Sequence, residues 1–143
     1  SCQDVFAAMG TNIIYEGGAG KGQHTKMANQ IALAGAVASV SEAIAYARRT
    51  GLDVETMLAS ISKGAAGSWQ MTNNAPKMVA GDMAPGFFIK HFIKDMAIAD
   101  EEAKAAGLTM PVLEEVLEMY RELDRRGEGD LGTQAVIHYF DEK

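Results

Sequence analysis

The feature that most constrains the fold is a long alanine-rich segment without proline, residues 25–49. Its apolar residues recur at helical spacing in two stripes. The first stripe contains Met27, Ile31, Ala34, Ala38 and Ser41, and the second contains Leu33, Val37, Val40, Ile44 and Ala47. Together the stripes cover most of the circumference, which predicts a helix that is buried on more than one side. At about 1.5 Å per residue the helix spans roughly 37 Å, so we expect a central element that buries its excess surface against a partner.

Turn and capping residues divide the chain after this segment into shorter helices. Asp53 is a predicted N-cap of a short helix that ends near Gly64. Ser68 is a predicted N-cap of a segment that Pro76 bends or restarts. The remaining predicted helices cover 87–106, 133–140 and the segment that begins at Pro111. With about six helices and no convincing strand after residue 20, the sequence predicts an all-α domain with one long central helix.

The first 22 residues differ from the rest of the chain. Residues 13–15 form a short β-prone run, and residues 17–22 are too glycine-rich for a regular helix or strand. We interpret this part as a strand or extended segment followed by a flexible connection. The glycine stretch lacks the third glycine of a dinucleotide-binding loop and the Lys-Ser/Thr ending of a phosphate loop, so a hinge is favoured over a phosphate site.

Charge, cysteine and histidine content exclude several classes of function. The net charge of −6 argues against nucleic acid or an anionic membrane as a partner. Charged or polar residues interrupt every apolar run, so no membrane span is expected. The single cysteine, Cys2, excludes an internal disulfide and fits a reducing compartment, which makes the cytoplasm the expected location. The three histidines have no ligand partners at metal-binding spacing, so no metal site is expected.

Polar residues in otherwise apolar helices are the candidates for chemistry. Lys26 and Asn29 are three residues apart near the start of the long helix and share a face. In a first turn the helix dipole disfavours positive charge, so a lysine that is also partly desolvated there has a lowered pKa. A lowered pKa suits a lysine that must gain and lose a proton near neutral pH. Asn29 can both donate and accept a hydrogen bond. Spacing alone favours plainer alternatives: a solvated lysine at position 26, and, for Lys94-Asp95, an exposed edge with an ion pair to a neighbouring turn.

Several motifs follow one another in order along essentially the whole chain. Residues 17–30 contain the pattern G-x-G-x-G-x-x-x-K-x-x-N. The other motifs are Ser41-Glu42-Ala43, Gly64-Ala65-Ala66-Gly67-Ser68-Trp69, Pro85-Gly86-Phe87, Lys94-Asp95-Met96, Met110-Pro111-Val112 and Gly132-Thr133-Gln134. Together, and in this order, they resemble the motifs of the β-hydroxyacid dehydrogenase family. The family includes 3-hydroxyisobutyrate dehydrogenase, tartronate semialdehyde reductase and, more distantly, 6-phosphogluconate dehydrogenase.

The resemblance implies the all-helical C-terminal domain of such an enzyme, similar to that of 6-phosphogluconate dehydrogenase. The implied activity is NAD- or NADP-dependent oxidation of a small β-hydroxyacid, or reduction of the matching semialdehyde. In this reading Lys26 is the catalytic acid/base, Asn29 binds the substrate and Lys94 contacts the nicotinamide cofactor. The resemblance also implies a homodimer in which the helical domains pack together.

The sequence departs from the family pattern in the half that binds the cofactor. It contains neither the G-x-G-x-x-G unit nor the glycine-rich substrate loop of the family's N-terminal half. Residues 1–22 are therefore interpreted as the tail of a missing dinucleotide-binding domain with its linker, and residues 23–143 as a helical substrate and dimerisation domain. We expect the cofactor to be bound mainly outside this chain, and the isolated chain to be inactive. The alternative is a non-catalytic helical module for oligomerisation.

Overall fold

The regular secondary structure is helical apart from one isolated β-bridge in residues 2–141, the range that the computed structural model describes. The helices in this range are α1 (Cys2–Ala7), α2 (Lys21–Thr50), α3 (Val54–Ile61), α4 (Trp69–Asn73), α5 (Ala75–Ala80), α6 (Ile89–Ala105), α7 (Pro111–Arg125), a 3-10 helix (Thr133–Ile137) and α8 (His138–Asp141). The all-α prediction is confirmed. The helix predicted over 133–140 is instead a 3-10 helix followed by α8.

Helix α2 is the centre of the core, as predicted. It packs against α4, α6, α7 and the 3-10 helix. Its buried residues are Gln30, Ala34, Val37, Ala38, Val40, Ser41, Ile44 and Ala47. The helix begins at Lys21 rather than Thr25, because Gly20 takes a left-handed φ of 86° and ends the preceding turn there. Gly51, with a φ of 76°, terminates the helix in the same way.

Helix α2 is also long and apolar enough to cross a membrane when only length and composition are considered. Its most apolar window has a mean hydropathy of 1.3, and 44% of that window is buried inside the fold. The prediction that no apolar run reaches this length is therefore wrong, since Glu42 is the one charged residue between Lys26 and Arg48. The contacts of α2 with its neighbours bury part of this apolar surface in the protein core.

Residues 2–20 contain a short helix and no strand. Helix α1 precedes residues 12–17, which have no regular secondary structure. Of the two predicted possibilities for residues 13–15, a strand or an extended segment, the strand does not form, because a strand needs a neighbouring backbone for its hydrogen bonds and the described residues offer none there. The exposed apolar side chains of this region are Val5, Phe6, Met9, Ile13, Ile14 and Tyr15.

Local capping signals set the starts of the shorter helices. Asp53 Oδ1 accepts a hydrogen bond of 2.8 Å from the Thr56 backbone N–H. Ser68 Oγ accepts one of 3.1 Å from the Met71 backbone N–H. Both predicted N-caps are confirmed, and Pro76 lies in the first turn of a new helix, α5, as the predicted restart requires.

The start of α6 is held by the segment that follows α7. The Ile89 backbone N–H donates to the Leu131 carbonyl, and the Thr133 backbone N–H donates to the Phe87 carbonyl, each at 3.0 Å. These bonds flank the isolated β-bridge. They fix the position along the bundle at which α6 presents Asp95 to α2.

Two buried side chains complete this attachment. Gln134 Nε2 donates to the backbone carbonyls of Asp82 and Ala84, at 3.0 and 2.9 Å. The Tyr120 hydroxyl donates to the Thr133 carbonyl at 2.6 Å. Burial raises the pKa of Tyr120 well above its usual value, so the phenol remains a donor at neutral pH. The motif at 132–134 therefore fastens the C-terminal segment to the loop before α6.

Candidate functional site

The N-terminal part of α2 and the middle of α6 bring four polar side chains together. Gln30 Nε2 donates to Asp95 Oδ2 at 3.0 Å, and Lys26 Nζ lies 3.8 Å from the same oxygen. Asn29 Nδ2 donates to Gln30 Oε1 at 3.1 Å. Lys26, Asn29, Gln30 and Asp95 therefore form one connected group, which we call the polar cluster.

The polar cluster extends from the core to the surface. Gln30 is 8% exposed, whereas the side chains of Asp95 and Lys26 are 23% and 69% exposed. A pocket of about 270 Å³ opens beside the cluster, and it is lined by Gln23, Lys26, Met27, Gln30, Asp95 and Ile98. A small polar ligand in this pocket would meet an ammonium group at the surface and a carboxylate below it.

The structure changes the electrostatic argument for Lys26. Because α2 begins at Lys21, Lys26 lies in the second turn rather than the first, where the effect of the helix dipole has already declined. Its side chain is also largely exposed rather than desolvated. The charged group that faces Lys26 is the Asp95 carboxylate on α6, so an ion pair between helices replaces the dipole as the local influence on this lysine.

Lys94 lies next to Asp95 in sequence but does not join the polar cluster. Successive residues of an α-helix point about 100° apart, so Lys94 and Asp95 face different directions on α6. Lys94 is exposed, and within residues 2–141 no hydrogen bond or ion pair connects it to Lys26 or Asn29. The structure therefore brings two of the three predicted site residues together and leaves the third on an adjacent surface.

Sequence reasoning assigned no role to Gln30 and gave Asp95 only an ion pair with a neighbouring turn. The ion pair exists, but its partner is the candidate residue Lys26 on another helix. A signal for Gln30 was present, because it is a polar residue in phase with the buried Ala34 and Ala38 of α2. A buried amide at such a position needs hydrogen-bond partners, and these are the neighbouring polar side chains.

Comparison with known proteins identifies the family. The family model described as NAD-binding of NADP-dependent 3-hydroxyisobutyrate dehydrogenase matches residues 20–140. The uncharacterized oxidoreductase YkwC of Bacillus subtilis is 52% identical over 136 residues, which cover 95% of this chain and 47% of that protein.

Two solved structures share the fold. The 3-hydroxyisobutyrate dehydrogenase of Salmonella typhimurium has a TM-score of 0.88 at 29% identity, over 95% of this chain and 48% of that one. The Mycobacterium tuberculosis 3-hydroxyisobutyrate dehydrogenase with L-serine has a TM-score of 0.88 at 27% identity, over 98% and 50%. This chain thus spans about half the length of these relatives, and it belongs to the 3-hydroxyisobutyrate dehydrogenase family.

Proposed function

We propose that this chain is the helical, substrate-side part of an NAD(P)-dependent oxidoreductase. The reaction would be oxidation of a small β-hydroxyacid to the matching semialdehyde, or the reverse reduction. The observation that carries the proposal is the polar cluster, which connects Lys26, at the pocket, with Asn29 in a member of a hydroxyacid dehydrogenase family. Both solved relatives are 3-hydroxyisobutyrate dehydrogenases, which supports the same substrate class.

In the proposed mechanism Lys26 handles the proton of the reaction. During oxidation the neutral amine of Lys26 accepts the substrate hydroxyl proton as the carbon–hydrogen bond breaks. A bound nicotinamide supplies the chemistry of accepting or returning the hydride. During reduction the Lys26 ammonium donates its proton to the carbonyl oxygen. The Asp95 carboxylate, 3.8 Å from Nζ, is the charged group that faces Lys26 at the pocket.

Asn29 is proposed to bind and orient the substrate. One N–H of its amide is engaged by Gln30, which leaves the second N–H and the carbonyl oxygen for a ligand. A hydroxyacid offers a hydroxyl donor and carboxylate acceptors, so the two free functions of Asn29 match both ends of such a molecule.

Lys94 is proposed to contact NAD or NADP, because an exposed ammonium group suits an anionic or carbonyl-bearing cofactor. In residues 2–141 no strand precedes the glycine-rich turn, so a dinucleotide fold is not formed by the described part of the chain. We therefore place most cofactor contacts outside residues 23–143, and propose that residues 1–22 end a dinucleotide-binding domain and link it to this one. The cytoplasm stays the proposed location, on the single exposed Cys2.

A second candidate function is a non-catalytic helical module for oligomerisation. Exposed apolar residues near α2 favour some association, among them Tyr46, Leu108 and Val112. A homodimer is proposed under either function, so association alone does not distinguish them. Only the enzyme proposal requires the polar cluster for its activity.

The test is replacement of Lys26 in the longest natural protein that contains this chain. Lys26→Ala is expected to lower kcat about 100-fold or more, because proton transfer loses its acid/base. Turnover is followed by NAD(P)H absorbance with 3-hydroxyisobutyrate and L-serine as probes. Lys63→Ala, an exposed lysine after α3, is the matched control and is expected to retain activity. Unchanged turnover in Lys26→Ala would refute the catalytic role and favour the oligomerisation module.

A further inference from the structure

We infer that Gln30 is a positioning residue, which sets the orientation of the Asn29 amide and the Asp95 carboxylate. This inference rests on the proposed function and concerns how the site is held for its substrate. Gln30 touches neither the reacting atoms nor the cofactor in this scheme. It acts through the residues that do.

The hydrogen-bonding chemistry of the polar cluster allows one arrangement of the Gln30 amide. An ionised carboxylate only accepts hydrogen bonds, so the nitrogen of Gln30 must face Asp95. The oxygen of Gln30 then faces Asn29, and this oxygen can only accept. Asn29 must therefore turn its nitrogen toward Gln30. One charged group, Asp95, thus determines the orientation of two successive amides.

The resulting orientation controls what Asn29 presents to a ligand. With its nitrogen bound to Gln30, the Asn29 carbonyl oxygen is directed away from that contact and is available to accept a substrate hydroxyl. Lys26, one helical turn before Gln30, faces the same Asp95 oxygen that Gln30 binds. The position of the Lys26 acid/base and the orientation of the Asn29 amide therefore both depend on the Asp95 carboxylate.

A comparison within the chain separates positioning from plain stabilisation. Gln134 is also buried, at 2% exposure, and its side chain binds two backbone carbonyls in a loop. Gln30 is buried to a similar extent, but both of its partners are side chains of the candidate site. Loss of the Gln134 side chain would free the loop backbone at residues 82–84. Loss of the Gln30 side chain would instead free the side chains of Asn29 and Asp95.

The experiment uses substitutions at Gln30 in the longest natural protein that contains this chain. Gln30→Met keeps the size of the side chain and removes both hydrogen bonds. Gln30→Glu keeps an acceptor for Asn29 but places a second carboxylate against Asp95. The double variant Gln30→Glu/Asp95→Asn restores a donor opposite an acceptor, and it retains one negative charge beside Lys26. Gln134→Met is the matched control for loss of a buried glutamine.

Each single Gln30 variant is expected to lower kcat/KM for 3-hydroxyisobutyrate or L-serine about 10-fold or more, since hydrogen bonds to charged groups are lost. The KM for NAD(P) is expected to stay within about twofold, because most cofactor contacts are proposed to lie outside residues 23–143 and Gln30 makes none. The double variant is expected to recover most of the loss seen in Gln30→Glu. Gln134→Met is expected to lower Tm, but not to lower kcat/KM for the hydroxyacid selectively while leaving the KM for NAD(P) unchanged.

Two results would overturn the inference while leaving the proposed function intact, provided Lys26→Ala abolishes turnover. One is wild-type kinetics in Gln30→Met. The other is a double variant no better than Gln30→Glu. A separate result, full turnover in Lys26→Ala, would overturn the proposed function itself and the inference with it.

Discussion

At the scale of single residues, Gly67 is constrained by the close approach of its own loop. A Cβ atom at position 67 would lie well inside van der Waals contact with the carbonyl oxygen of Ser62. The Gly67 backbone N–H also donates to the Gly64 carbonyl at 3.0 Å, which closes the turn. The turn leads directly to Ser68, the N-cap of α4. The glycine is therefore required by backbone contact and not by an unusual φ.

Gly67→Ala is expected to destabilise the fold by about 1–3 kcal/mol, because backbone has to shift to make room for the methyl group. Denaturant unfolding followed by circular dichroism measures the change. Gly86→Ala is the control, since a Cβ there meets no atom within 4 Å and the φ of Gly86 is not positive. Equal stability of the two variants would show that the Gly67 loop adapts without cost.

The sequence allowed part of the site to be predicted at this scale. Lys26 and Asn29 became candidates because residues three apart in a helix share a face, which requires no knowledge of the fold, but their roles came from the family resemblance and not from this spacing. The bond between Gln30 and Asp95 joins positions 65 residues apart, so it depends on how α2 and α6 pack. No local pattern encodes that contact, and the ion pair of Lys26 with Asp95 was missed for the same reason.

At the scale of helices, the boundaries set by side-chain caps were predictable and those set by backbone geometry were not. Asp53 and Ser68 cap through their own side chains, which a sequence displays directly. The start of α2 has no side-chain cap and depends on the left-handed backbone of Gly20. The glycine-rich composition of residues 17–22 concealed that the helix already includes Lys21.

The cap of α3 makes helix stability depend on pH. Hydrogen bonds from the Thr56 side chain and backbone N–H hold the pKa of Asp53 below its usual value. A carboxyl whose pKa is lowered by folding stabilises the fold above its unfolded pKa, about 3.9, and this contribution is lost as the pH falls through the folded pKa. Asp53→Asn retains an oxygen acceptor that does not titrate.

We therefore expect Asp53→Ala to lower Tm by a few degrees at neutral pH, and Asp53→Asn to lower it less. The difference in Tm between wild type and Asp53→Asn should shrink as the pH falls below about 4. Thermal unfolding by circular dichroism between neutral and acidic pH tests this. A difference that stays constant with pH would mean that the Asp53 charge contributes nothing to the cap.

At the scale of the whole molecule, the candidate site is lined on one side only, which is the wall that α2 and α6 form together. The polar cluster lies on α2 and α6, and within residues 2–141 only side chains of these two helices line its pocket. The fold is otherwise completed within the chain, because the C-terminal segment is fastened to the start of α6 by backbone bonds and by Gln134. A stable helical unit with a half-enclosed site is consistent with a chain that spans about half of its relatives.

The isolated 143-residue chain is accordingly expected to fold and to show no hydroxyacid oxidation. Without a second wall, neither the cofactor nor the substrate is held in reacting geometry. Circular dichroism establishes folding, and NAD(P)H absorbance at high enzyme concentration measures turnover. Measurable, Lys26-dependent turnover by this chain would show that residues 1–143 contain a complete site.

The solvent-facing start of α2 affects the free energy with which a ligand or a second domain binds there. Of residues 21–29 only Met27 is partly buried, and core packing of the helix begins at Gln30. Local opening of these first turns therefore costs far less free energy than global unfolding. Lys26 and Asn29 lie in these exposed turns, whereas Gln30 begins the packed part of the helix. A ligand or domain that covers this end would oppose such local opening, so its measured affinity includes the free energy of a local helix–coil equilibrium.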